Sequence, residues 1–421
     1  MQDTSPDTGT ALAQEIDGRY QALAGRGLKL DMTRGKPAPE QLDLAAPLLT
    51  AVGAEDCVRP DGTDVRNYPG SPDGLAEARA MFAAFLEVGS EEVIVGGNSS
   101  LAMMHGVIRD CMLKGTPNGS PWAEAEKVRF LCPVPGYDRH FTICEYFGIE
   151  MVPVPMDAHG PMMDEVEAQV ADDPTIRGMW CVPKYSNPTG ITYSDEVIAR
   201  LSRMHTAAAD FRLFFDNAYA VHHLYPAADR LVNLLEAARD GGHPDRALIF
   251  GSTSKISFAG GGVAMMGASP ANIAHTRRLT GTSMIGPDQI NQLRHVKFFG
   301  SMAGIEAHMR RHAELIRPKF EAVDRILTEE LGGLDIASWT RPNGGYFLSL
   351  DTPPGLARRT VQLAGEAGVK LTPAGATFPY GHDPDDRNIR IAPTVPPVDD
   401  VTLATELLAV SLKKAWLETR R

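Results

Sequence analysis

No C-x-x-C pair occurs anywhere in the sequence, and its five cysteines (Cys57, Cys111, Cys132, Cys144 and Cys181) are scattered and odd in number. That argues against a disulfide framework and against a zinc knuckle, and reduced thiols, several of them buried, are expected instead. No uninterrupted apolar stretch approaches the roughly 20 residues of a membrane span, and the first residues, MQDTSPDTGT, are polar and acidic with no apolar run of a secretory leader. A cytoplasmic location without a membrane partner is the default expectation. No H-E-x-x-H or glycine-rich P-loop string is present, and His222-His223 are adjacent rather than at ligand spacing on one helix face, so no metal site is expected. Positive charge is also scarce: 41 Lys plus Arg face 53 Asp plus Glu, a formal net charge of −12. Phosphate polymers bind through clustered Lys and Arg, so nucleic acid is disfavoured and small-molecule chemistry fits better.

What the chain does have is length and apolar content. A sequence of 421 residues with 43% hydrophobic composition buries a substantial core and suggests two domains. Leu12, Ile16, Tyr20 and Leu23 recur at helical spacing up to Gly25, which reads as an amphipathic helix ended by glycine. The basic, extended loop MTRGKPAPEQ follows. Between about Glu91 and Ser269 seven short apolar runs alternate with helical stretches: EVIVGG, KVRFLCPV, IEMVPVPM, GMWCVPKY, RLFFDNAY, ALIFGST and GVAMMGAS. Near-continuous apolar runs suit strands covered on both faces, so an α/β fold with a mostly parallel, seven-stranded sheet is expected, with ligands at the carboxyl ends of its strands. Ile305, Met309, Ile316, Phe320, Val323 and Leu327 mark a long helix through Pro318 that bridges to a smaller α+β unit. The last helix is expected from about Asp399 to Leu417, with Lys413, Lys414, Arg420 and Arg421 near its carboxyl end, signs that suit a helix C-terminus. The expected boundaries are 51–310 for the large domain, and 1–50 with 311–421 for the small one.

Chemistry concentrates just after the apolar runs. In ALIFGSTSKISFAGGGVAMMGAS, Lys255 sits between two buried-strand runs. An unpaired ammonium there would cost several kcal/mol, a cost that neutralisation removes. A neutral amine is a competent nucleophile toward a carbonyl, and Ser252 and Ser254 stand where hydroxyls can hydrogen-bond a phosphate. GGNSSLAMMHGVIRDCM reads as strand end, turn and helix, so the amides at Ser99, Ser100 and Leu101 offer a second phosphate cradle; a plain N-cap at Asn98 is compatible with that.

The strings YSNPTG, DNAY, GSTSK and NIRIAP, taken in this order between Arg34 and Arg390, resemble the fold-type I, class I/II aminotransferases that use pyridoxal 5′-phosphate. The resemblance is greater to the bacterial aspartate aminotransferases that begin with an R-G-K-P loop. It implies that Lys255 holds the cofactor as a Schiff base and that Asp216 salt-bridges its ring nitrogen, keeping the ring an electron acceptor. Tyr219 and Asn187 are implied donors to the cofactor's phenolic oxygen. Tyr137, in PVPGYDRHF, is the implied stacking aromatic, although a tyrosine after a Pro-Gly turn also reads as loop packing. Tyr68 is implied to reach the partner subunit's phosphate, which makes the protein a homodimer. For substrate, the resemblance implies that Arg390 clamps the α-carboxylate, a bidentate geometry suited to guanidinium. Gly35 belongs to the loop over the substrate, and Lys36 and Arg139 are candidates for a second carboxylate. The sequence departs from the pattern at Val263, where many relatives carry a phosphate-neutralising arginine eight residues after the lysine.

The resemblance therefore implies transfer of an amino group between an amino acid and a 2-oxo acid, with aspartate and 2-oxoglutarate preferred. A broad-specificity or aromatic and kynurenine-type aminotransferase is the nearest alternative. A β-elimination or decarboxylation reaction uses the same cofactor. A ligand-sensing regulator is disfavoured by the acidic balance and by the roughly thirty residues before the substrate loop, which leave no room for a winged helix.

Overall fold

The computed structural model describes residues 6–68 and 72–420. Strands are numbered along the chain. The shortest pair, β1 (Leu30–Asp31) and β12 (Val369–Lys370), lie parallel beside the R-G-K-P loop. The seven expected apolar runs all become strands: β2 (Val93–Val95), β3 (Arg129–Val134), β4 (Glu150–Asp157), β6 (Ile176–Cys181), β7 (Arg212–Asp216), β8 (Ala247–Ser252) and β9 (Ala264–Ala268). Their sheet has eight strands rather than seven, in the order β2-β9-β8-β7-β6-β3-β4-β5. The addition, β5 (Gly160–Pro161), pairs antiparallel with the end of β4 and is too short to leave an alternation in sequence. Neighbours from β8 through β7, β6 and β3 to β4 are parallel, and the remaining pairs are antiparallel.

Every residue of β7 and β8 is buried, because helices cover both faces of the sheet. Successive side chains point to opposite faces. Phe214 and Phe250 therefore stack with ring centroids 6.0 Å apart in one apolar layer with Phe130 and Trp180, while Phe215 and Ile249 enter the other with Leu131 and Met265. Each such side chain contributes about 1.5–3 kcal/mol relative to exposure.

A third apolar cluster gathers the N-terminal helix (Pro6–Ala24), the C-terminal helix (Val398–Glu418) and the antiparallel sheet of β10 (Ser338–Trp339), β11 (Leu348–Asp351) and β13 (Asn388–Ile391). The helix Met302–Leu331 joins the cores as its pattern suggested: Ile305 and Met309 pack in the large-sheet core, and Ile316, Phe320, Val323 and Leu327 in the third. It runs through Pro318. The basic residues near the end of the last helix have another use than the helix dipole, for Lys413 binds Glu330 at 2.6 Å and Lys414 binds Asp17. All five cysteines are buried and free. No helix among the described residues is long and apolar enough to cross a membrane.

Candidate active site

Strand ends aim the reactive side chains into one crevice. β7 terminates on Asp216, β8 runs into the turn that carries Lys255, and β3 runs through a turn to Tyr137 at the start of the helix Asp138–Phe147. The crevice is a cavity of about 740 Å³. Among the residues expected from sequence it brings together Lys255, Asp216, Tyr219, Tyr137 and Asn187, with Ser100 and Leu101 at one side. Gly35 and Lys36, from the R-G-K-P loop, form another side with Arg139 and Arg390.

Lys255 Nζ lies 4.8 Å from the centroid of the Tyr219 ring. Burial pushes this amine below the ordinary lysine range, while Asp216 pulls it part of the way back. Burial also pushes the Tyr219 phenol well up and the Tyr137 phenol up to about 12, so both remain protonated donors at neutral pH. Asp216 is buried, and its Oδ2 lies 3.0 Å from Nε2 of His140, whose ring stacks on Trp180 with centroids 4.2 Å apart. Its Oδ1 is buried with no hydrogen-bond partner among the described residues. An acceptor left so in an apolar site costs about 1–3 kcal/mol, more when charged. A protonated ring nitrogen is the kind of group that removes this cost, and an aldehyde is what a buried amine of lowered proton affinity captures, so the residues present fit pyridoxal 5′-phosphate.

Arg390, on β13, is buried at the opposite wall. Nη1 donates to Asp138 Oδ1 at 2.9 Å and to Asn187 Oδ1 at 3.3 Å, and Nη2 donates to Thr372 Oγ1 at 3.2 Å. Its guanidinium lies 5.2 Å from the Phe347 ring centroid, and its Nε is buried without a partner among the described residues. Gly35 rests on the same ring: a Cβ there would stand 2.4 Å from Phe347 Cζ. Close approach of the loop to Phe347 is thus a reason for glycine that the sequence did not reveal.

Other expected residues lie outside the cavity wall. Ser99, rather than Asn98, caps the helix Ser100–Lys114, its Oγ accepting from the Ala102 amide at 3.1 Å. Asn98 instead donates to Gly260 O, and Ser254 Oγ donates to Asn98 O at 3.1 Å. Ser252 ends β8 and is buried. Val263 is 1% exposed, its amide bound to Thr253 Oγ1, so that position faces the core. Tyr68 is 78% exposed and does not line this chain's cavity.

Sequence reading missed His140, Asp138, Phe347, Lys370 and Thr372. The first two stood in the Tyr137 segment without a pattern of their own. The others come from a distant part of the chain, and only folding brings them here. With them the wall carries five cationic side chains besides Lys255, namely Arg34, Lys36, Arg139, Lys370 and Arg390, against the carboxylates of Asp31, Asp138 and Asp216. A chain of net charge −12 has concentrated positive charge at one cavity.

A family model described as "Aspartate amino-transferase" matches residues 4–421. A putative aminotransferase from Mycolicibacterium smegmatis is 54% identical over 393 residues, 93% of this chain and 92% of that protein. An aspartate aminotransferase from Corynebacterium glutamicum is 45% identical over 406 residues, covering 96% of this chain and 94% of its own. Among solved structures, an aspartate transaminase from Corynebacterium glutamicum superposes with a TM-score of 0.96 at 44% identity, over 100% of this chain and 99% of that one.

Proposed function

This chain belongs to the aspartate amino-transferase family and is an aminotransferase; from that premise we propose that it moves the amino group of aspartate to 2-oxoglutarate, with pyridoxal 5′-phosphate held by Lys255. The observation that carries the dicarboxylate reading is the cationic excess of the cavity wall, five positive side chains besides the Lys255 amine against three carboxylates. A phosphate and two substrate carboxylates are the anions that such a wall is built to receive.

When bound, the cofactor supplies an aldehyde for the amino group and a ring that takes up the electron pair left by Cα–H cleavage. Asp216 holds the ring nitrogen protonated through its unpartnered oxygen, and His140, stacked on Trp180, keeps that carboxylate in place. Tyr219 and Asn187 donate to the phenolic oxygen, and Tyr137 covers the ring. Ser100 and Leu101, which line the cavity at the start of the helix Ser100–Lys114, would hold the phosphate in place of the arginine absent at Val263, with Ser99, Ser252 and Ser254 as the further candidates. Arg390 binds the α-carboxylate, while Lys36 and Arg139 are the candidates for the distal one. With the cofactor bound, the Lys255 amine would be the base that takes the proton from the substrate Cα, a role that its burial-lowered proton affinity favours. Residues 51–310 are read as the cofactor-binding domain, and 1–50 with 311–421 as the small domain. Exposed Tyr68 is read as serving the neighbouring subunit's phosphate in a homodimer.

The test is turnover. Purified holoenzyme given aspartate and 2-oxoglutarate is expected to form oxaloacetate and glutamate, and to use alanine, phenylalanine and kynurenine at least about tenfold less well, the worth of one charge-assisted hydrogen bond. Preference for a neutral donor would sink the dicarboxylate reading. Lys255→Ala is expected to lose both the near-visible absorbance and multiple turnover.

A further inference from the structure

Behind the cavity wall, a chain of buried hydrogen bonds runs from the substrate loop to the backbone of the reactive lysine. Gln41 lies on the short helix Pro39–Leu44, directly after the R-G-K-P loop, and is fully buried. Its Oε1 accepts from the Ala38 amide at 3.0 Å, which turns Nε2 toward Nδ1 of His312 and the hydroxyl of Tyr346, both at 2.9 Å. Because the Tyr346 oxygen accepts from Gln41, its own proton is directed elsewhere: it donates to the carbonyl of Lys255 at 3.2 Å. The next carbonyl, of Ile256, lies 2.8 Å from Nε2 of His308, which is 3.0 Å from His312.

Stability alone gives no reason for such a group of side chains. Gln41, His312 and Tyr346 are fully buried, and a well-packed apolar set of the same volume is often as stable as a buried polar network or more so. Burial holds His308 below its ordinary range and His312 down to about 3, so both rings are neutral at neutral pH. The direction of the bonds from Gln41 through Tyr346 to the Lys255 carbonyl is therefore set by the Gln41 amide, itself oriented by the Ala38 N–H. Geometry supplies the missing reason. A lysine that both binds a cofactor and carries a proton has its reach fixed by where its backbone is anchored, and a misplacement of about 1 Å can cost about a hundredfold in rate.

We propose that Gln41 and Tyr346 are positioning residues that tie the backbone of Lys255 to the loop over the substrate, holding amine and substrate at one separation. The proposal rests on reading Lys255 as the cofactor-bearing amine.

Tyr346→Phe removes one oxygen and keeps the ring, and Gln41→Leu keeps the bulk and removes the amide. In holoenzyme each is expected to lower kcat with aspartate about tenfold or more while KM changes less than about threefold. The double variant is expected to lose little more than the worse single variant, because both interrupt one chain. A readout independent of turnover accompanies these: backbone amides of residues 253–258 are expected to exchange with deuterium faster in both variants, with and without cofactor. A role confined to packing would lower the unfolding temperature and leave kcat and the relative exchange of this segment unchanged, and that result overturns the proposal. Should Gln41→Leu fail to fold, the same two readouts on Tyr346→Phe decide it. Wild-type protein that turns over no donor would refute the functional reading while leaving the exchange comparison intact.

Discussion

Replacing Gly35 by alanine adds one methyl group where the loop touches Phe347. That carbon would lie 2.4 Å from Cζ and 2.9 Å from each Cε of the ring. Contacting carbons settle at about 3.5–4.0 Å, so the loop or the ring must retreat by roughly 1 Å. The ring has little freedom: it is buried, Arg390 lies 5.2 Å from its centroid on one side, and Tyr219 meets it edge-on at 6.4 Å. The loop therefore lifts, and Arg34 and Lys36 move with it. Overpacking of this kind costs about 1–3 kcal/mol, or about 5- to 150-fold in an equilibrium. Steady-state kinetics with varied aspartate are expected to show that loss in kcat/KM, mainly through KM. Adding Phe347→Leu removes the obstructing carbons, so the double variant is expected to exceed Gly35→Ala in kcat/KM. A Gly35→Ala enzyme within about twofold of wild type would refute the steric argument.

Arg390→Lys keeps the charge and loses the fork; KM for aspartate is expected to rise about 10- to 100-fold, as the loss of one charge-assisted hydrogen bond implies, and an unchanged KM would remove Arg390 from carboxylate binding. Val263→Arg introduces the cation that the resemblance implies for this position but buries it in the core, and an unpaired buried guanidinium costs several kcal/mol. A large fall in melting temperature is expected, and an unchanged melt with tighter cofactor retention would show that the position faces the phosphate after all. Acid stability follows the histidines. Burial holds His312 at about 3 and His295 at about 4, below the ordinary 6.5, so the unfolded chain takes up protons that the folded one refuses. Their contribution is complete above pH 6.5 and is lost as pH falls through that window toward 3–4. The urea midpoint is expected to be lower at pH 5 than at pH 7, and equal midpoints would contradict the assignment.

Elements were legible in proportion to the regularity of their apolar pattern. All seven long runs of the main sheet were visible because strands covered on both faces leave almost no polar residue, whereas β5, two residues long, left no period at all. The helix Met302–Leu331 was visible through its repeat, and so was its bridging role. The Asn98 cap was placed one residue early, since Asn and Ser are nearly equal cap formers and only the backbone decides between them.

Sequence alone determined the chemistry on offer: a lysine in an apolar setting, an aspartate and a tyrosine after one strand, an arginine in NIRIAP, and an order of motifs that resembles one enzyme family. Local composition is enough for that, because strand burial and turn chemistry are written in adjacent residues. The tertiary structure decided which of them meet, that Val263 faces the core, that Gly35 lies against Phe347, and that Gln41 and Tyr346 reach the lysine backbone across 305 positions of chain between them. Contacts between residues so far apart depend on how the helices and sheets pack, and no periodicity within a short window carries that information.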